Sequence, residues 1–467
     1  MSPVRTSAPV RPPRQGRRRI PESTATSGTP SVRGEVLYSL HPRAIWSELR
    51  TQPWSFWWIN AYLFFEYVRP QSIYSWLEGP PWTQMILLMA LGTFLLEGRM
   101  FGARTLADLT LAFFTLIVVL SSMMAYNPAF SYSKISEYFS WVLIYLLISN
   151  IVNTERRFLI MLVAFLLYSF KMSQHATRDW AMAGFAFRDW GVTGGPGWFH
   201  NSGEYGIQMT IFVPMSLYFI TGLRKHWGRK TKIFFYLLPL TGVIGTIGSS
   251  SRGAMLGLGI AALFMLGKTR YKAKGGAAML LLGLLTWVLL PEESLDRFRS
   301  MGEDETSVSR KVYWTLGLHL MNQFPVLGIG YANWLPYTRS IGESVALPHN
   351  IFIEAGAELG YLGLFAFIAM ILATFRVNAQ SRKLLKPLGD RGLFLTNMAH
   401  GLDSALVGFM ASGFFVTVLY YPFFWINLAL TVALHSAARN MVEEIPRRAR
   451  PRGPRRRAFQ RLPTGTA

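Results

Sequence analysis

The chain has 467 residues, of which 51% are hydrophobic, 14% aromatic and only 15% charged, too apolar a balance for a soluble domain of that length. It has no cysteine, which excludes a disulfide framework, a thiolate metal site and a cysteine nucleophile. A formal net charge of +22 raises nucleic acid as a partner, but the basic residues sit in tails and short loops between apolar runs and no nucleic-acid-reading module accompanies them.

Residues 1–53 open with a stretch rich in Pro, Ser, Thr and Arg that has no apolar core, so a disordered basic cytoplasmic arm is expected and not a cleavable signal. A hydrocarbon core about 30 Å thick needs roughly 20 apolar residues at helical rise. Residues 54–290 hold nine candidate helices, at 54–68, 82–96, 106–124, 138–151, 158–170, 205–222, 233–248, 253–267 and 276–290. Residues 291–350 form a long polar connection whose amphipathic stretch 308–324 is expected to lie along the outer membrane face, or to be an ordinary packed loop helix. Residues 351–440 add helices at 351–375, 402–419 and 423–438, and 441–467 is a basic tail suited to anionic lipid heads. The expected fold is an all-α polytopic membrane protein with about twelve transmembrane helices. Aromatic groups such as Trp54, Phe56, Trp57 and Trp58, and Tyr420, Tyr421, Phe424 and Trp425, fall at the ends of these runs and read as interfacial anchors.

The bias of Lys and Arg sets the orientation. Arg99 and Arg104, Arg156 and Arg157, and the basic loops 224–232, 268–274 and 376–391 alternate with less basic ones, which puts them and both tails in the cytoplasm. Polar chemistry is then expected in the opposite loops, at 69–81, 125–136, 171–204, 249–252 and 291–350.

Four histidines, His175, His200, His319 and His349, fall in those outward segments. His349 stands out because Pro348-His349-Asn350 closes the long loop just before an apolar helix carrying Glu354 and Glu358 on one face. A neutral imidazole accepts a hydroxyl proton near neutral pH, but a histidine there also serves as a loop or cap contact, and both readings stand. The two glutamates are equally readable as structural carboxylates paired with an arginine or a backbone donor. Arg252, in Ser249-Ser250-Ser251-Arg252-Gly253, and Arg310, in Ser309-Arg310-Lys311, offer guanidinium forks suited to a diphosphate or to lipid headgroups. The acidic run Glu303-Asp304-Glu305 suits a divalent cation less well than a flexible loop, and no metal site and no cofactor are expected. Phosphate-loop, dinucleotide, zinc-protease and serine-hydrolase motifs are missing from the sequence.

Several stretches, taken in order, resemble the O-antigen ligase and polymerase family of bacterial membrane proteins. Residues 194–214 (GGPGWFHNSGEYGIQMTIFVP) resemble its glycine-rich approach to an Asn at the head of a span, with Asn201 in that place. Ser251-Arg252-Gly253 resembles its Ser-Arg-Gly turn, and Gly328-Ile329-Gly330-Tyr331 its Gly-x-Gly segment. His349-Asn350 followed by Glu358-Leu359-Gly360-Tyr361-Leu362-Gly363 is similar to its closing signature. The resemblance implies a C-type glycosyltransferase-like membrane fold in the inner membrane and metal-independent transfer of a glycan from undecaprenyl diphosphate. The acceptor would be a hydroxyl on lipid A core, another surface polysaccharide acceptor or protein, on the periplasmic face. By that resemblance His349 activates the acceptor, Arg252 and Arg310 hold the diphosphate, and Asn201, His200, Asn350, Glu354, Glu358 and Tyr331 support them. Arg297, Arg299 and Arg339 are alternatives to Arg310. A ligase is favoured over a polymerase of the same family. A secondary transporter is the rival from another class, and no internal repeat of the kind such folds carry is visible.

Overall fold

The computed structural model describes residues 36–102, 105–187, 191–269, 272–289, 292, 305–342 and 346–444. Among them every regular element is a helix. In chain order these are α1 Pro42–Leu49, α2 Trp54–Tyr67, α3 Trp82–Leu96, α4 Leu106–Met123, α5 Pro128–Ile151, α6 Glu155–Met182, α7 Ser202–Leu223 and α8 Arg229–Gly248. They continue with α9 Arg252–Lys268, α10 Lys272–Leu289, α11 Glu305–Gln323, α12 Trp334–Ser340, α13 Ile351–Leu385, α14 Leu393–Gly413 and α15 Pro422–Glu443. The basic tail at 447–461, most of the N-terminal arm, Arg297, Arg299, Glu303 and Asp304 lie outside the described residues.

Five stretches are long and apolar enough to cross a membrane: Leu106–Met123, Glu155–Met182, Ser202–His226, Arg229–Gly248 and Ile351–Gly413, the last taking in both α13 and α14. Such segments make the chain an integral membrane protein. The helices α7 and α15 form the inside of the bundle. Each is apolar around its whole circumference, which only a helix surrounded by others or by lipid can sustain, and α15 is buried without a break from Pro422 to Ala438. The outer helices instead show one face, with Leu88 on α3, Leu109 and Leu116 on α4, Leu240 on α8 and Leu263 on α9 exposed.

Close approach depends on small residues. A Cβ on Gly257 of α9 would lie 1.9 Å from Ser412 Oγ and 2.9 Å from the Gly408 carbonyl, both on α14. Gly206 of α7 has the same relation to α9, where its Cβ would meet that of Ala254 at 2.5 Å. At the end of the bundle rich in basic loops, Arg382 Nη1 of α13 lies 2.6 Å from Asp403 Oδ2 of α14, and Asn378 Nδ2 donates to Asp403 Oδ1 at 2.8 Å.

Several element boundaries depart from the sequence expectation. A short helix, α1, stands within the segment expected to be an unstructured arm. The helix α6 runs on to Met182, so His175 sits on it, 2.9 Å from Asp179, and not in a loop. The helix α14 stops at Gly413, and residues 414–421 are irregular where a span to residue 419 was expected. The amphipathic stretch forms α11, which packs on α13 so tightly that a Cβ on Gly317 would lie 2.2 Å from Ile353 Cγ2. The aromatics expected as anchors divide: Trp54 is 70% exposed, but Phe56, Phe424 and Trp425 are buried in the bundle.

Overpacking a tight helix contact costs about 1–3 kcal/mol. Gly257→Val should therefore lower the thermal midpoint of the detergent-solubilised protein, while Gly259→Val, on the same helix with nothing within 4 Å of its Cβ position, should leave it nearly unchanged.

Candidate active site at one end of the bundle

Two short turns and one irregular segment meet at the end of the bundle opposite the Arg382–Asp403 pair. The first turn joins α8 to α9. Ser250 is left-handed (φ 53), and Ser251 Oγ caps α9 by accepting from Ala254 N–H at 3.3 Å, which places Arg252 at the first helical position. The head of α7 lies against this turn: a Cβ on Gly203 would come 3.9 Å from Ser251 Oγ and 3.7 Å from Val416 Cγ2. Asn201 is the α7 cap, its Oδ1 accepting from Gly203 N–H at 2.8 Å.

The second turn is Pro348-His349-Asn350. Asn350 caps α13, its Oδ1 accepting from the N–H groups of Phe352 at 2.9 Å and Ile353 at 3.2 Å. His349 is left-handed (φ 49), a conformation that costs a non-glycine residue about 1–3 kcal/mol and persists only where the surroundings impose it. Two contacts impose it here. The His349 N–H donates to Thr417 Oγ1 at 2.8 Å, and the Trp314 indole N–H of α11 donates to the Pro348 carbonyl at 3.0 Å. Burial, and after it the Arg310 guanidinium of α11, hold the His349 imidazole below the usual histidine range. The structure thus brings His349 and Arg310 together.

The irregular segment 414–421 ties these parts to one another. Gly253 abuts Phe415, whose Cβ would be 3.0 Å from a Cβ at that glycine. Phe414 packs edge-on to Trp314 with ring centroids 5.2 Å apart. Thr417 holds His349, and the Leu419 N–H donates to Glu354 Oε2 at 3.4 Å. Sequence reasoning missed this segment and Trp314. The available signal was the helix stop at Gly413 and the Pro422 start bracketing an aromatic run, which hydropathy absorbed into a span.

The supporting residues hold the frame. Glu358 is 3% exposed, and its two oxygens accept from the N–H groups of Trp334 and Ala332, both at 3.0 Å. The Gly328–Tyr331 segment docks on the same turn of α13, Ile329 N–H donating to the Ala357 carbonyl at 2.9 Å and Gly330 N–H to the Glu358 carbonyl at 3.0 Å. Gly360 (φ 70) breaks α13 here, and a Cβ on it would lie 2.5 Å from the Val326 backbone. Tyr331 is buried against Tyr420, ring centroids 4.8 Å apart. His200, like Asn201, is exposed: its Nδ1–H donates to the Gly197 carbonyl at 2.6 Å, and Glu204 Oε2 lies 3.7 Å away.

This arrangement joins a depressed, half-buried imidazole to a neighbouring guanidinium, with a second arginine on the turn beside them. Residues 235–368 match the family described as O-antigen ligase. An O-antigen ligase of Pseudomonas aeruginosa is 30% identical over 139 residues, a stretch covering 29% of this chain and 33% of that protein, so the chain spans about a third of the length of the curated relative it matches. The stretch that carries Arg252, Arg310, Tyr331, His349, Asn350, Glu354 and Glu358 is thus the part of this membrane protein that matches the O-antigen ligase family.

Proposed function

We propose that this protein is a ligase-type glycosyltransferase that moves a glycan from undecaprenyl diphosphate to an acceptor hydroxyl on the periplasmic face of the inner membrane. In this reading the chain crosses about twelve times, and both basic tails lie in the cytoplasm. The observation that carries it is the His349 turn, pinned between Thr417 and Trp314 with Arg310 at its side.

The neutral imidazole of His349 takes the proton of the acceptor hydroxyl as the oxygen attacks the anomeric carbon of the donor sugar. The bond from that carbon to the diphosphate oxygen breaks, and its electron pair leaves with the diphosphate. Arg252 and Arg310 meet the charge that grows on the leaving group, where fixed donors in a site shielded from water act most strongly. Arg310 has a second effect, because its charge disfavours the imidazolium and keeps the base free of a proton at rest.

His349→Ala is expected to lower transfer by about 10²- to 10⁴-fold and Arg252→Ala by about 10²- to 10³-fold, both variants remaining inserted. The test is a deletion strain complemented with each variant, with gels and mass spectrometry of lipopolysaccharide, glycoprotein and carrier-bound glycan. Long glycan stranded on the carrier identifies a ligase, and single repeat units identify a polymerase. Full activity in both variants, with expression confirmed, overturns the assignment.

The base must be neutral to act, so a depressed imidazole moves the acid limb of the pH profile of kcat/KM below the ordinary histidine value of about 6.5. Removing the neighbouring charge reverses part of that shift. In Arg310→Gln the acid limb of the residual activity should move to higher pH, and an unmoved limb would separate Arg310 from the base.

A further inference from the structure

Beside the arginine and histidine turns lies a second group of side chains that the reaction above does not use. The Trp198 indole stands edge-on to Tyr421, ring centroids 4.7 Å apart, and to Trp141 at 5.7 Å. Its ring N–H donates to Glu66, a carboxylate only 6% exposed and neighboured by Arg69. Glu137 of α5, with Lys134 near it, lies within electrostatic reach of Glu66 and Tyr421. Glu204, in the first turn of α7, sits beside Tyr421. It is 8% exposed and interacts with the Tyr421 hydroxyl, its Oε2 is without a hydrogen-bond donor among the described residues, and the exposed His200 ring lies 3.7 Å from it. Trp198, Tyr421 and Glu137 are half-buried, so each keeps a surface toward solvent.

We infer that Trp198, Tyr421, Glu137 and Glu204 form a binding subsite for an uncharged sugar ring, separate from the diphosphate contacts and adjoining His349. The inference rests on the transfer reaction proposed above. A pyranose has an apolar face of C–H groups and an edge of hydroxyls, which match an aromatic side chain and a carboxylate acceptor respectively. Hydroxyl donors satisfy a buried oxygen such as Glu204 Oε2, and three acidic side chains against Arg69 and Lys134 favour a neutral ligand over phosphate. The place also fits. Tyr421 is four residues from Thr417, so their Cα atoms are at most about 14 Å apart, and the Tyr421 N–H to Val418 carbonyl turn shortens the path. Tyr421 is thus carried by the same short segment that holds the His349 turn.

The subsite is tested on full-length protein in detergent, with two probes that carry no diphosphate. One is the glycan released from the carrier by mild acid, and the other is the delipidated acceptor saccharide. Binding is read by saturation-transfer NMR against wild type, Trp198→Ala, Tyr421→Leu, Glu137→Gln and, as a control, Trp76→Ala, an exposed tryptophan outside the group. Loss of one aromatic contact should raise the Kd for one probe about 3- to 10-fold, with Trp198→Phe restoring most of it and the control unchanged. The probe affected assigns the subsite to donor or acceptor sugar. Where Trp198→Ala fails to insert, Tyr421→Leu and Glu137→Gln decide. Wild type binding neither probe, or all variants binding as wild type, overturns the subsite. Binding lost in these variants but kept in Arg252→Ala and His349→Ala, in a protein with no transfer activity, upholds the subsite and removes the reaction.

Discussion

Irregular backbone at the edge of a membrane bundle is tolerated only where its N–H and C=O groups find partners in protein or in a wet cavity. The segment 414–421 meets that condition by spending its groups on the site. Thr417 Oγ1 takes the His349 N–H, the Leu419 N–H goes to Glu354, and Phe414 and Phe415 fill the space under Trp314 and beside Gly253. A continuous helix through these residues would satisfy its backbone internally and carry Thr417 elsewhere, leaving the histidine turn only the Trp314 contact. The break between α14 and α15 is therefore what lets four separate elements, the heads of α7, α9 and α13 and the helix α11, share one locus.

The left-handed residues follow the same logic. Among the described residues six non-glycine positions have positive φ, and Arg69, Phe185, Ser250, Ala332 and His349 all lie at this end of the bundle. Such conformations are unfavourable and survive where packing overrules local preference. At Ala332 the overruling contact is visible: its N–H is bound by Glu358, whose other oxygen binds the Trp334 N–H. A hydrogen bond contributes about 0.5–1.5 kcal/mol net, so two offset much of the cost of one strained residue. Glu358 thus fixes the Gly328–Tyr331 segment and, through α13, the position of the histidine turn.

Most helices were legible as apolar runs, because burial against neighbours or lipid demands them. Their ends were less legible. The last turns of α6, with Lys171, His175, Arg178 and Asp179, are polar enough to read as loop, yet Met172, Ala176 and Trp180 keep the helical spacing and are buried. Trp425 read as an anchor because it belongs to an aromatic group at the end of an apolar run, and only the surrounding helices show that α15 is interior. The two capping asparagines illustrate a different limit. Asn201 and Asn350 each precede a helix, a position where Asn is favoured for local reasons alone, so their placement by motif says little about ligand contact. Trp314 and Thr417 carry no motif, and their relation to His349 exists only in three dimensions.

The charges at this end are unevenly distributed. Arg310 stands beside the histidine turn and Arg252 opens α9, whereas Glu66, Glu137 and Glu204 gather around Trp198 and Tyr421 with Arg69 and Lys134 near them. A glycan diphosphate is itself segregated, with its charge on one side of the bond that breaks and neutral hydroxylated rings on the other. Glu354 and Glu358, buried on α13, engage the backbone donors of Leu419, Ala332 and Trp334. For the proposed reaction, a pose with the diphosphate toward Arg252 and Arg310 and the rings toward Trp198 and Tyr421 matches this distribution better than the reverse.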